Sequence, residues 1–167
     1  MERELYEKLE NELYNMRWSE RSDRCVDFCN LLGKTISSIE GAEVDNDIIK
    51  IVCTDGSTYF MYHDQDCCES VSIEDIAGDI QDLIGSPVIL AEEVSNSSDD
   101  DDHEDAKSEY DDSWTWTYYK LATINGYVTI RWYGESNGYY SESVDFIEVK
   151  SSKEAMLEHL RDKKGET

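Results

Sequence analysis

The run Tyr62-His63-Asp64-Gln65-Asp66-Cys67-Cys68-Glu69-Ser70 gathers an imidazole, two adjacent thiols and three carboxylates into nine residues. Thiolates and imidazole are the ligand types that suit Zn²⁺, and a tight loop can aim three such groups at one point. These residues predict a structural zinc held by His63, Cys67 and Cys68 plus a fourth group, for which Asp64, Asp66 or Glu69 are candidates. Adjacent cysteines are a less regular pattern than the Cys-x-x-Cys of zinc fingers. In the plainer alternative, Cys67 or Cys68 is a small buried hydrophobe and the charged residues solvate a loop.

Spacing prunes the other thiols. If Asp55-Gly56 is a hairpin turn, Cys53 pairs near Thr58 and lies roughly 17 Å along the strand from His63, too far to share a metal. Cys25 and Cys29, at i and i+4 of a predicted helix, could complete a site from across the fold, although two core thiols beside Phe28 explain them more simply. A catalytic zinc with His63 and Asp64 or Glu69 as base is the enzymatic version, a metal-dependent hydrolase or nuclease. A cysteine nucleophile paired with His63 is another, but the acidic surroundings raise thiol pKa values and work against it. His103 and His159 lie elsewhere in the chain, and no phosphate-cradling glycine motif occurs. The expectation is therefore a protein that is not an enzyme.

A second candidate surface is Arg131 to Ser143, RWYGESNGYYSES, where aromatic residues surround an Asn-Gly turn. With Glu135, Glu142 and Asp145 beside it, this face would suit a cationic partner, since Arg pairs with carboxylates and stacks on rings. Half-buried packing in a meander is the alternative for these aromatic residues.

The elements that must position these groups follow from periodicity. Leu5, Leu9, Leu13 and Met16, with Tyr6 and Tyr14, predict an amphipathic helix from Glu2 to about Trp18. Ser22 or Asp23 could cap a second helical stretch through Cys25, Val26, Phe28, Cys29 and Leu32, closed by Gly33. Ile48–Cys53 and Ser57–His63 around Asp55-Gly56 predict a hairpin with a two-residue turn. Val71–Ile73 is β-like, Ile73, Ile76, Ile80, Leu83 and Ile84 have helical spacing, and Val88–Val94 reads as a strand. Ser113–Ile124, Tyr127–Tyr133 and Tyr139–Val149 predict a three-stranded meander with Val128, Ile130 and Trp132 in the core. A helix from Ser152 to Lys164, capped by Ser151 or Ser152 and burying Met156, Leu157 and Leu160, ends the chain. The fold class is α+β: an antiparallel sheet, built from the hairpin and the meander, with N-terminal, middle and C-terminal helices. Its organisation is a helical segment over 1–33, a core over 34–150 containing a disordered acidic loop at 95–112, and a terminal helix and tail over 151–167.

Charge restricts the partners. In 167 residues, 39 acids face 15 basic residues for a formal charge of −24. Nine of the acids and one lysine lie between Asp99 and Asp112, so most of the excess is spread over the rest of the chain. Such a surface repels phosphate, disfavouring direct nucleic-acid binding, and attracts cationic protein. No stretch approaches the roughly 18 apolar residues of a membrane span, and the charged N-terminus is unlike a signal peptide. The expected location is the cytoplasm, where five cysteines, an odd number, are read as thiols or metal ligands rather than a disulfide framework.

The stretch HDQDCCESVSIEDI, followed by WTWTYYKLATINGYVTIRWYGESNGYYSESVDF, resembles a small domain without an assigned function that recurs in phages and prophages of Gram-positive bacteria. The resemblance spans about Lys34 to Val149 and rests on His63, Asp64, Cys67, Cys68, Glu69 and the turn Gly138 to Glu142. It implies a phage origin, and short acidic phage proteins are similar in character to inhibitors of host defence nucleases, including anti-CRISPR proteins. The expected function is an anti-defence inhibitor that binds a basic surface of a type II RNA-guided nuclease and blocks DNA loading. A phage regulatory adaptor binding another host protein is the alternative beside the hydrolase.

Overall fold

Tyr59 and Met61 alternate with Phe60 and Tyr62 along one short strand, and all four are buried, so this strand has cover on both faces. In a two-sided strand each face needs its own apolar layer. The first layer joins Ile36, Ile49, Ile51, Tyr59 and Met61 to Val71, Ile73, Tyr119, Leu121, Val128, Ile130 and Trp132. The second sets Ile48, Phe60, Tyr62 and Ile147 against Leu9 and Leu13 of the first helix.

The structure is a computed structural model and describes residues 2–97 and 113–165. The helices are α1 (Arg3–Tyr14), α2 (Trp18–Asp23) and α3 (Ser152–Gly165). The strands are β1 (Ile36–Glu40), β2 (Ile48–Cys53), β3 (Thr58–Tyr62), β4 (Glu69–Ala77), β5 (Leu90–Ser97), β6 (Ser113–Thr123), β7 (Gly126–Ser136) and β8 (Asp145–Lys150). All pairings are antiparallel, in the orders β1-β2-β3-β8 and β4-β7-β6-β5. Two four-stranded sheets thus share one core, and α1 covers the outer face of the first. Each fully buried leucine of α1 contributes about 1.5–3 kcal/mol of transfer free energy.

The α+β class and the terminal helices stand, with differences in detail. The hairpin and the meander belong to two sheets. β5, β6 and β7 form the meander, whereas β8 leaves it and pairs with β3, Tyr62 opposite Asp145. The run from Tyr139 is a crossing loop up to Val144 because side chains take its backbone donors. Asn137 Oδ1 accepts from the Tyr139 N–H at 3.1 Å, Ser136 Oγ from that of Gly138 at 3.0 Å, and Ser141 Oγ from that of Ser143 at 3.2 Å.

The helical spacing from Ile73 has a different origin. A bulge between Ile73 and Asp75 inserts one residue into β4, so Val71, Ile73 and Ile76 all reach the core at intervals of two and then three. The middle helix is reduced to one 3-10 turn, Ile80–Leu83, capped by Asp79. The predicted helix through Cys25 and Cys29 is likewise only the 3-10 turn Phe28–Leu31. Both thiols are exposed rather than packed beside Phe28. The β2–β3 turn has three residues, Thr54 to Gly56. Gly56 alone takes the left-handed conformation, at φ 85°, as in a type I turn with a following bulge.

Helix α3 is capped by Ser151, which exchanges bonds of 2.8 and 3.2 Å with Glu154. It is fastened at its N-terminus, where Ser152 Oγ donates to Asp55 at 2.7 Å. None of its residues is buried, so Met156, Leu157 and Leu160 are exposed, contrary to the expectation. Of the predicted acidic loop, Ser95–Ser97 extend β5, while 98–112, with His103, lie outside the described residues. No described helix is long and apolar enough to cross a membrane.

Candidate functional site

His63 follows β3, and Glu69 opens β4, so the loop between them is the link from one sheet to the other. Both side chains are buried. His63 Nε2 lies 3.0 Å from Glu69 Oε1, and Nδ1 lies 2.7 Å from the Ser143 carbonyl oxygen. Each ring nitrogen therefore has an oxygen partner within hydrogen-bond distance. The Glu69 carboxylate also accepts from the Asp66 N–H at 2.6 Å and the Cys67 N–H at 3.1 Å. Gln65 Nε2 donates to the Glu69 carbonyl oxygen at 2.6 Å. Burial acts to raise the Glu69 pKa, but the Asp66 N–H, the His63 ring and the Cys67 N–H outweigh it and hold the carboxyl at about 2. The result is a latch in which one histidine ties the intersheet loop to the segment before β8.

This geometry bears directly on the predicted zinc ligands. Cys67 and Cys68 are exposed while His63 is turned inward with both nitrogens engaged, so the three are neighbours in sequence without converging on one point. Among the described residues, no group of three or more His, Cys, Asp or Glu side chains is placed to hold a metal ion. Cys53 is buried at the end of β2, where Ser57 faces it across the hairpin. Neither ring nitrogen is available to activate a thiol, so the arrangement supplies a fixed hydrogen-bond bridge rather than a general base.

Beside the latch, the buried Arg21 donates to Asp64 Oδ2 at 2.8 Å and to the Met16 carbonyl oxygen at 2.7 Å, with its guanidinium 4.8 Å from the Tyr14 ring centre. Asp145 belongs to the same cluster and is half-buried. Burial and then Asp64 push its carboxyl up, against the pull of His63 and Arg21. Sequence reading missed Arg21 altogether, because a lone arginine in a charged helix carries no pattern that marks it as inward-facing.

The other two residues predicted for partner binding are also partly internal. Glu142 is buried, accepting from Ser113 Oγ at 3.2 Å, Thr115 Oγ1 at 2.9 Å and Ser136 Oγ at 2.5 Å, so it clasps the crossing loop to β6 and β7. A Cβ on Gly134 would stand 2.8 Å from the Glu142 carbonyl oxygen, which explains the glycine. Gly134→Ala is expected to lower stability by about 1–3 kcal/mol through overpacking. An unchanged urea midpoint would mean that the loop is not held against β7. Glu135 is half-buried on β7, paired with Ser70 and Trp114.

An open acidic groove of about 630 Å³ lies between α1, the loop before β2 and the start of β4. Its acidic wall is Glu43, Val44, Asp45 and Asp47, and Arg3 of α1, paired with Glu7 at 2.8 Å, also lines it. That loop is pinned from inside: Asn46 is buried and donates to the carbonyl oxygens of Gly41 and Ile48 at 2.5 and 3.0 Å. Two backbone bonds of 2.8 Å join Asp45 and Asn46 to Ile73. Asp45 stands at φ 68°, a conformation that Asp and Asn tolerate best after glycine. Tyr6 closes one side, donating to Asp47 at 2.8 Å. The alternation of acids in EVDND was the available signal.

Fold and site together define a two-sheet α+β domain whose intersheet loop is closed by a buried histidine–glutamate pair. The chain belongs to the family described as a domain of unknown function, DUF7448, whose model matches residues 29–146, from the first 3-10 turn to the start of β8. No curated protein and no solved structure matches it.

Proposed function

We propose that this chain is a non-enzymatic binding protein that receives a cationic segment of a partner protein in the acidic groove beside α1. The observation that carries the reading is the rigid wall of Glu43, Asp45 and Asp47, with Val44 exposed among the carboxylates. A lysine or arginine can lay its aliphatic stem on such an apolar spot while its head meets the acids. Pinning by Asn46 removes ordering cost from the binding side. The engagement of both His63 nitrogens supports a binding role over a hydrolytic one.

The partner we assign is a type II RNA-guided nuclease, with the chain acting as a phage anti-defence inhibitor in the host cytoplasm. Its support is the formal charge of −24 set against the strongly positive channels in which such nucleases hold nucleic acid. Added at low salt, the chain should block DNA loading, and affinity should fall as salt rises. Glu43→Lys with Asp45→Asn should weaken binding at least about tenfold, or 1.4 kcal/mol; asparagine keeps the backbone conformation at 45. Absence of binding at low salt rejects the nuclease, and unchanged affinity of the double variant rejects the groove.

The scaffolding expected of zinc we assign to the latch. Chelation should leave the thermal midpoint of the purified protein unchanged. A midpoint that falls on chelation and returns with Zn²⁺ would reinstate the metal.

A further inference from the structure

Cys67 and Cys68 are consecutive, and both are exposed in the intersheet loop. The loop is fixed on either side of them by His63 and Glu69, and Tyr140 lies beside Cys67. The remaining thiols have other settings. Cys53 is buried in the β2–β3 hairpin, Cys25 pairs by its backbone with Ile147, and Cys29 sits in the first 3-10 turn. Neither the latch nor the groove uses the two adjacent thiols.

We propose that Cys67 and Cys68 form a reversible redox pair, oxidised by a small-molecule disulfide such as oxidised glutathione to a disulfide between adjacent residues. One thiolate attacks the small disulfide, giving a mixed disulfide and releasing one thiol. The neighbouring thiolate then attacks the protein sulfur of that mixed disulfide and releases the second thiol. Two protein S–H groups become one S–S bond, the external S–S bond becomes two S–H groups, and two electrons pass to the oxidant. The second attack is intramolecular between adjacent residues and needs no second molecule of oxidant.

Adjacent Cα atoms across a trans peptide are about 3.8 Å apart, short of the roughly 4.4–6.8 Å that disulfides favour. The product is strained and easily reduced, as suits a switch rather than a staple. Its formation re-sets the backbone where the Cys67 N–H donates to Glu69 at 3.1 Å, so oxidation removes one donor from the latch. The Cys68 thiol is pushed up chiefly by its bond with Cys67, with the neighbouring acids acting in the same direction, so the exchange is slow at neutral pH.

The test uses the folded full chain with oxidised glutathione, alkylation of remaining thiols and peptide mass mapping. The peptide containing Cys67 and Cys68 is expected to lose two hydrogens, carry no glutathione and recover both thiols with dithiothreitol. Cys67→Ser or Cys68→Ser should instead leave a lasting glutathione adduct on the remaining thiol. If the wild-type peptide stays fully alkylated while Cys25 and Cys29 react, or accumulates glutathione itself, the proposal is overturned.

Discussion

Glu69→Ala is expected to cost about 3 kcal/mol, because three hydrogen bonds lose their buried acceptor at once. For a chain of this size that is a fall of about 6–12 °C in the thermal midpoint. The loss has three sources: the bond to His63 and the bonds to the Asp66 and Cys67 N–H groups. With the carboxylate gone, the buried imidazole keeps only the Ser143 carbonyl oxygen, and its Nε2 is left without a partner. His63→Ala should cost a similar amount, by stranding Glu69 and freeing the segment before β8. The double variant should cost less than the two together, with a coupling of about 1–3 kcal/mol. Simple additivity in urea unfolding would mean that the two side chains do not act as one unit.

How far such a unit could be read from sequence depends on what its residues announce. The run from His63 to Glu69 stands out by composition, and the structure does make it a junction, between β3 and β4. Its chemistry was not legible. A histidine and a glutamate six residues apart serve a metal or bond to each other according to where the ring turns. Here the deciding partner is a carbonyl oxygen at Ser143, eighty residues away, which no local pattern encodes. Glu142 and Asp145 read as surface acids for the same reason. The hydroxyls that bury Glu142 come from β6 and β7, and the arginine beside Asp145 comes from α2.

The fold was legible where one rule governed a whole segment. Alternation in β6 and β7 correctly placed Val128, Ile130 and Trp132 in the core, and the leucine stripe of α1 is the stripe that packs. It failed where a local device altered the period. The bulge in β4 imitates a helix by moving Ile76 one residue along, and the serine and asparagine turns before β8 consume donors that a continuous ladder would need. Which sheet a strand joins is a long-range property, so β8 could be recognised as a strand without being assigned to β3.

Stability should rise as pH falls from neutrality, reach a maximum at roughly pH 4–5, and then drop. The rise comes from a group whose folded pKa is raised. Burial first, and then Asp64, pushes Asp145 up. In this case the native state takes up its proton before the unfolded chain does, so stability grows as pH falls through the folded pKa and levels off below the unfolded one. Relief of repulsion in a chain of formal charge −24 acts in the same direction. The drop comes from groups with the opposite shift. Glu69 is held at about 2, and Asp55 is held well below the usual carboxylate range. For Asp55, burial is outweighed by Lys34 at 2.8 Å, by the Ser57 hydroxyl and N–H at 2.5 and 2.9 Å, and by Ser152. Their stabilisation is complete above the unfolded value of about 4 and is lost as pH falls from there toward their folded pKa values. Urea midpoints between pH 7 and pH 2.5 measure both limbs. Glu69→Gln should flatten the acid limb, and Asp145→Asn should remove part of the rise by stabilising the neutral end. A midpoint that stays level down to pH 2.5 would show that neither carboxylate is held as the latch and the turn require.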